Sequence, residues 1–272
     1  MVPDIVLNNG VRMPQLGIGV WRASDREADD AVAEALRVGY RSVDTAAMYG
    51  NEPGVGRAVA ASGLPRDQVF VTSKVNNPDH GYDEALRAFD ASLQRLGFDY
   101  VDLYLIHWPQ PGLNRYVDTW RALEKLYADG RTRAIGVSNF QIAHLQRLRE
   151  ETDVVPALNQ IELHPYLAQA ELRAYHAEHG IATEAWSPLA KGGALLRDPV
   201  ITTLADKYGH TPAQIVLRWH IQVGNVVIPK SVHADRIAEN FDVFGFELAD
   251  DDMAAIGELD RDGRTGPHPD RF

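Results

Sequence analysis

The sequence contains no cysteine among its 272 residues. Disulfide bonds, thiolate nucleophiles and cysteine-ligated metal sites are therefore excluded. No stretch approaches the roughly 18 apolar residues that a membrane-spanning helix requires. The first residues, Met1–Asp4, carry no basic leader before an apolar run. We therefore expect a cytoplasmic protein that does not contact a membrane.

Positive charge and nucleotide-binding motifs are also scarce. Lysine and arginine number 27 against 38 aspartate and glutamate residues, which gives a formal net charge of −11. This excess of negative charge disfavours nucleic acid as a partner and leaves a small molecule as the expected one. Neither a G-x-G-x-x-G run after a strand nor a Walker P-loop occurs, so the usual dinucleotide fold and an ATPase are both unsupported.

What the sequence does contain is an alternation of short apolar strands and amphipathic helices. Strands are predicted near residues 16–20, 42–46, 69–75, 101–107, 134–138, 157–162, 182–187 and 225–229. Helices are predicted over Asp25–Val38, Tyr82–Leu96, Tyr116–Ala128, Ile142–Glu151 and Gln169–His179. Eight such repeats predict an α/β fold, a (β/α)8 TIM barrel forming a single domain over residues 1–272. A doubly wound open sheet is the alternative, but it normally has fewer repeats.

Three further segments lie outside the eightfold repeat. Asn9-Gly10 separates the apolar runs Ile5–Leu7 and Val11–Met13, which predicts an N-terminal β-hairpin. Two extra helices are predicted over Thr211–Val223 and Ala249–Glu258.

Titratable side chains follow three consecutive predicted strands. Asp44, Lys74 and His107 end strands two, three and four, and Tyr49 lies in the loop after Asp44. Barrel active sites lie at these strand ends. A lysine cation lowers the pKa of a nearby phenol, and an aspartate holds the lysine charged. Each residue alone could be structural, but together they predict Tyr49 as a proton donor and His107 as the group that orients a substrate oxygen.

The end of the last strand carries a candidate phosphate site. Lys230 and Ser231 follow this strand, and Arg236 lies in the first turn of the next helix. Barrels commonly bind phosphate at this position. Two cations and a hydroxyl suit an adenosine 2′-phosphate, which favours NADPH over NADH.

The remaining strand ends suit a nicotinamide ring. Ser138, Asn139, Gln160 and Ser187 offer hydroxyl and amide groups for its carboxamide, and the indole of Trp186 offers a face for stacking. Packing in the barrel core is the alternative explanation for Trp186.

Several motifs in combination resemble the aldo-keto reductases, in particular the short bacterial members similar to 2,5-diketo-D-gluconate reductase. The resemblance spans essentially the whole chain. Its motifs are Val43–Glu52 (VDTAAMYGNE), Leu105–Pro109 (LIHWP), Ile135–Phe140 (IGVSNF), Asn159–Pro165 (NQIELHP) and Ile228–Ser231 (IPKS), with Arg236, Glu239 and Asn240 beyond them.

The resemblance implies a catalytic tetrad and an extended NADPH. The tetrad is Asp44, Tyr49, Lys74 and His107. Glu239 and Asn240 are implied to hold the adenine amino group, and Ser187 and Leu189 to lie along the pyrophosphate. The implied reaction is NADPH-dependent reduction of aldehydes or ketones to alcohols by a monomer. Candidate substrates are keto sugar acids, α-dicarbonyls, keto esters and small aldehydes.

The substrate pocket departs from the family pattern. Many relatives have an aromatic residue two positions after the lysine, where this chain has Asn76, and His233 stands where an arginine is frequent. The loop after Pro109 and the tail after Asp260 are short, which predicts an open pocket. Its expected lining is Trp21, Met48, Asn76, Trp108 and the tail.

Two readings from other functional classes remain open. One is a protein that binds the cofactor without turnover. The other is a metal-dependent barrel hydrolase, for which His176 and His179 lie three residues apart on one helix. That helix is predicted to face outward, and no H-E-x-x-H motif occurs.

Overall fold

A computed structural model describes residues 2–272, and Met1 lies outside the described residues. The hairpin strands β1 (Asp4–Val6) and β2 (Arg12–Pro14) pair antiparallel. Eight parallel strands follow, each beside the next in chain order: β3 (Ile18–Gly19), β4 (Ser42–Asp44), β5 (Phe70–Val75), β6 (Val101–Ile106), β7 (Thr132–Ser138), β8 (Leu158–Glu162), β9 (Ala182–Trp186) and β10 (Val226–Val227). Parallel bridges from Leu16 to Val227 and from Gly19 to Lys230 join the last strand to the first. The predicted barrel and hairpin are confirmed.

Ten α-helices surround the strands in the described residues. They are α1 (Asp25–Val38), α2 (Glu52–Ala61), α3 (Tyr82–Leu96), α4 (Tyr116–Ala128), α5 (Ile142–Glu151), α6 (Ala170–Glu178), α7 (Pro199–Tyr208), α8 (Pro212–Gln222), α9 (Ala234–Phe241) and α10 (Asp250–Gly257). Local rules set several of these boundaries. At the start of α1, for example, the Ser24 and Glu27 side chains each accept the other residue's backbone N–H.

The segment between β9 and β10 corrects the prediction of which helix lies outside the eightfold repeat. α8 leads directly to β10 and packs against it, so it belongs to the eightfold repeat. The extra helix at this point is α7, which the sequence reading missed. Its start had a readable pattern, because Asp198 accepts the Val200 N–H at 2.9 Å and Pro199 occupies the first helical position.

The hairpin closes the N-terminal end of the barrel. Leu7 and Met13 form a buried apolar cluster with strand residues that include Phe70, Leu103 and Leu158. The opposite end, where the strands finish, is therefore the one left for polar side chains. None of the helices in residues 2–272 is both long and apolar enough to cross a membrane.

Candidate active site

The structure brings Asp44, Lys74, Tyr49 and His107 together at the C-terminal end of the barrel. Asp44 ends β4, Lys74 lies near the end of β5, and His107 follows β6. The Lys74 Nζ donates to Asp44 Oδ1 at 2.6 Å and to the Thr45 carbonyl at 3.0 Å. Both partners of this ion pair are buried.

Tyr49 and His107 lie above this ion pair. Tyr49 is half-buried and ends a single 3-10 turn, and its ring centre lies 5.2 Å from Lys74 Nζ. Its ring meets the His107 ring edge-on, with 5.6 Å between centroids. A phenol, a cation and an imidazole therefore share one location, as the strand ends predicted.

The loop that carries Tyr49 is held by buried polar contacts. Asn51 donates to the Val20 and Ala23 carbonyls at 2.9 and 3.0 Å and accepts from Thr45 Oγ1 at 2.8 Å. The next residue, Glu52, accepts from Arg95 and from Ser73, the neighbour of Lys74 in β5, each at 2.6 Å. These contacts give the Asn51-Glu52 part of the sequence motif a structural role.

Burial and the ion pair shape the electrostatics. Burial is the largest single effect on Lys74 and disfavours its cation. The charge and hydrogen bond of Asp44, together with the charges of Tyr49 and Glu184, outweigh burial in sum and raise the pKa of Lys74. Burial raises the pKa of Tyr49 to about 12, although Lys74 acts in the opposite direction. The sequence argument was right about the direction of the lysine's effect, but it omitted the larger effect of burial.

His107 is held neutral by its surroundings. Burial first, and then the Lys74 charge, bring the pKa of His107 well below its usual 6.5. A neutral imidazole has one N–H, which can donate to a substrate oxygen.

A second buried carboxyl group, which the sequence reading missed, lies beneath the tetrad. The Gln160 Nε2 donates to Asp44 Oδ2 at 2.7 Å and to Glu184 Oε2 at 2.8 Å. Glu184 is fully buried in the middle of β9. Burial, together with the Asp44 charge, raises the pKa of Glu184 to about 8. An acidic residue in the middle of a predicted barrel strand was the available clue.

The residues expected near a nicotinamide form one connected group. Asn139 donates to the His107 carbonyl at 2.9 Å and to Ser138 Oγ at 3.0 Å, and it accepts from the Trp186 indole at 2.7 Å. Ser138 in turn donates to the Gln160 carbonyl at 2.9 Å. These bonds connect the ends of β6, β7, β8 and β9.

The candidate phosphate residues lie around the start of α9. Lys230 and Arg236 are exposed and form no ion pair within residues 2–272, although acidic residues outnumber basic ones in the chain. Ser231 accepts the His233 N–H at 3.1 Å. Two unpaired cations beside a helix N-terminus fit the 2′-phosphate of NADPH.

The other residues expected to contact the cofactor differ in how exposed they are. Ser187 and Leu189 follow β9 and are partly exposed. Asn240 is buried on α9. The carboxylate of Glu239 accepts from Thr211 Oγ1 at 2.8 Å, so it already has a structural partner.

The C-terminal tail lies against the end of β8 and against Trp108. Glu162 accepts the backbone N–H groups of Thr265 and Gly266 at 2.6 and 3.0 Å. The Phe272 ring lies 4.3 Å from the ring of Trp108, which is only 6% exposed.

The other expected pocket residues are more accessible. Trp21 and Met48 are exposed at 36% and 42%. Asn76 is half-buried, and its side chain accepts the Asn77 N–H at 2.9 Å.

The structure gives no support to a metal site at His176 and His179. His176 is buried, whereas its helix was predicted to face outward. Its ring nitrogens lie 3.0 Å from Asn159 Nδ2 and 2.9 Å from Thr183 Oγ1, so both are occupied by hydrogen-bond partners. Within residues 2–272, no group of three histidine or acidic residues is arranged to hold a metal ion.

Comparison with known proteins identifies the family. The profile of the Aldo/keto reductase family matches residues 13–261. An aldo-keto reductase of Mycolicibacterium smegmatis is 58% identical over 100% of this chain and 98% of its own length. The methylglyoxal reductase DkgA of Escherichia coli is 53% identical over 98% of this chain and 97% of its own length.

A solved structure gives the same result. The crystal structure of a Gox0644 variant in complex with NADPH has a TM-score of 0.96, with 48% identity over 100% of this chain and 99% of that one. The resemblance inferred from the sequence motifs is therefore confirmed, and the chain is an oxidoreductase of the aldo/keto reductase family.

Proposed function

We propose that this enzyme reduces small aldehydes and ketones, α-dicarbonyls first among them, with NADPH and with Tyr49 as the proton donor. The observation that carries the proposal is the meeting of four groups distant in the chain: the 2.6 Å pair of Lys74 and Asp44, with the Tyr49 and His107 rings above it. An α-dicarbonyl is favoured because a relative as similar as 53% is named a methylglyoxal reductase.

NADP(H) is the cofactor, and the residues present fit it. Lys230, Ser231 and Arg236 would hold the 2′-phosphate, while Ser138, Asn139 and Gln160 would hold the carboxamide. Trp186 would lie against the nicotinamide ring, Ser187 and Leu189 along the pyrophosphate, and Glu239 and Asn240 near the adenine. When bound, NADPH supplies the hydride. NADH lacks the 2′-phosphate and is the weaker cofactor in this proposal.

The chain's own groups handle the proton. The neutral His107 donates a hydrogen bond to the carbonyl oxygen and orients it. The Tyr49 hydroxyl gives its proton to that oxygen as negative charge develops there. Lys74 stabilises the resulting phenolate, and Asp44 keeps Lys74 charged. A phenol is protonated at neutral pH even with its usual pKa of 10, and burial raises the pKa of Tyr49 to about 12, so the donor is in its active form before substrate arrives.

The pocket is lined in this proposal by Trp21, Met48, Asn76, Trp108 and the tail. The tail over Trp108 favours small substrates over long ones on that side of the mouth. The protein acts as a cytoplasmic monomer with a single domain over residues 1–272, and size-exclusion chromatography would check the monomer.

The decisive experiment compares Tyr49→Phe with the parent for NADPH oxidation in the presence of methylglyoxal. We expect kcat to fall about 100- to 10,000-fold, because the proton donor is removed. Cofactor affinity, measured by quenching of protein fluorescence, should stay within about twofold. Tyr82→Phe, which changes an exposed tyrosine, is the matched control.

Three outcomes separate the possibilities. If Tyr49→Phe turns over as fast as the parent, the assignment of the proton donor is wrong. A parent that binds NADPH without oxidising it, across a panel of carbonyl compounds, would instead support a binding protein. Equal rates with NADH and NADPH would contradict the proposed phosphate site.

A further inference from the structure

A chain of hydrogen bonds crosses the barrel core beneath the tetrad. Glu184 on β9, Gln160 on β8, Asp44 on β4 and Lys74 on β5 are joined by bonds of 2.8, 2.7 and 2.6 Å. All four are at least 97% buried. Asp44 already balances the Lys74 charge, so the ion pair does not require a second carboxylate.

The geometry favours a neutral acid at Glu184. Its Oε2 and the Asp44 Oδ2 share one amide nitrogen, which places two carboxyl groups close to a single buried cation. The other oxygen, Oε1, is buried and accepts no hydrogen bond from residues 2–272. A buried carboxylate with an unpartnered oxygen is costly, whereas a neutral carboxyl loses much less. The raised pKa of Glu184, about 8, agrees.

This arrangement also fixes the orientation of Gln160. Its amide nitrogen is directed towards two carboxyl groups, so its amide oxygen must point elsewhere. That oxygen has no partner in the described part of the chain and is not among its enclosed polar atoms. It is therefore available to accept an N–H from a carboxamide bound at the barrel mouth.

We propose that Glu184 is a positioning residue that works as a neutral acid. Together with Asp44 it holds the Gln160 amide so that its oxygen faces the nicotinamide carboxamide, and by staying uncharged it leaves Lys74 paired with Asp44 alone. The inference rests on the proposed roles of Tyr49 and Lys74.

The proposal has a consequence at alkaline pH. The titratable groups that interact with Glu184 are Asp44, Lys74 and Tyr49. Ionised Glu184 contributes a negative charge that raises the pKa of the Tyr49 phenol, and this contribution is absent while Glu184 is neutral. Tyr49 then becomes a weaker proton donor, so the reduction rate should fall as pH passes about 8.

Two substitutions at this position separate charge from hydrogen bonding. Glu184→Gln keeps a neutral acceptor of the same size, and we expect its kcat at pH 7 within about twofold of the parent, without the decline near pH 8. Glu184→Leu removes the acceptor, and we expect kcat and NADPH affinity to fall about five- to tenfold, the value of one hydrogen bond. Glu178→Gln, at an exposed position on α6, is the control.

A measurement without cofactor tests the protonation state directly. In protein labelled with ¹³Cδ-glutamate, one carboxyl carbon should titrate near pH 8, and Glu184→Gln should remove that resonance. If every glutamate titrates below about pH 6, the neutral acid is refuted. If Glu184→Leu folds with unchanged kcat and NADPH affinity, or if Glu184→Gln keeps the decline near pH 8, the positioning role is refuted.

These outcomes are distinguishable from a failure of the proposed function. An active Tyr49→Phe removes the proposed function, whereas the glutamate titration is still decided in the cofactor-free protein. An inactive Tyr49→Phe combined with an unaffected Glu184→Leu removes only the inference about Glu184.

Discussion

The two ends of the barrel are built from the same strands but have opposite chemistry. At the N-terminal end, Phe70 and Leu103 pack beneath Met13 of the hairpin in a cluster of apolar side chains. At the C-terminal end, the same two strands, β5 and β6, lead to Lys74 and His107. The comparison teaches that one end supplies stability through apolar burial, which offsets the cost of buried charge at the other.

The polar end is organised so that its buried charges have partners. Lys74 is paired with Asp44, and Glu52 is paired with Arg95. The two ends should therefore respond differently to substitution: the polar end in both rate and stability, and the apolar end in stability alone.

The largest effect is expected for Lys74→Met at the polar end. We expect kcat to fall about 100-fold or more, because the phenolate loses its stabilising cation. The free energy of unfolding should also fall by about 3–5 kcal/mol, because Asp44 keeps a buried and unpaired charge. Steady-state kinetics and urea unfolding measure the two effects. Lys125→Met, at an exposed ion pair, is the control and should change neither kcat nor the free energy of unfolding. A fully active Lys74→Met would contradict the expectation that the polar end controls the rate.

The next largest effect is expected at the apolar end. Met13→Ala removes a fully buried side chain of the hairpin, and the free energy of unfolding should fall by about 2–5 kcal/mol. The kcat of the folded variant should not change, because the cavity lies at the opposite end from the tetrad. Val6→Ala, at an exposed position of the same hairpin, should cost less than about 0.5 kcal/mol. A large loss of kcat in Met13→Ala would show that the two ends are coupled.

A smaller effect is expected at the tail. Burial opposes the charge of Glu162, but hydrogen bonds from His164, Thr265 and Gly266 outweigh it and lower its pKa from 4.5 to about 2. Because the folded pKa lies below the unfolded one, this carboxylate stabilises the protein above pH 4.5, and the contribution is lost as pH falls towards 2.

Glu162→Gln tests this contribution. The variant should be less stable at pH 7 by up to about 3 kcal/mol, and the difference from the parent should shrink in acid. Urea unfolding between pH 7 and acid pH measures it, with Glu258→Gln at an exposed position as the control. A difference that does not vary with pH would contradict the role of the charge.

Local rules explain which features could be predicted from the sequence. The bounds of α1, α3, α4 and α5 match the prediction, because caps and apolar periodicity are encoded by neighbouring residues. The members of the tetrad could be predicted because parallel strands all end on the same side of a barrel. Helix α7 was not predicted, although Asp198 and Pro199 form a recognisable helix start in the sequence.

Other features could not be predicted because they depend on contacts between distant segments. The sequence shows that Glu184 lies within a predicted strand, but not that the Gln160 amide donates to both Glu184 and Asp44. The tail was expected to line the pocket, but its bonds to Glu162 and the contact of Phe272 with Trp108 could not be predicted from the sequence.

The sequence by itself determined the alternation of strands and helices, the barrel, the family and the four polar groups that meet at one end of it, because each follows from local patterning or from the end of a strand. Only the tertiary structure decided the balance of charge among those groups. The pKa of Tyr49 depends on how much water the folded barrel excludes. That of Glu184 depends first on the same burial and then on the charge of Asp44, which lies far away in the chain. Desolvation and Coulomb interactions depend on distances in space, which the order of residues does not specify.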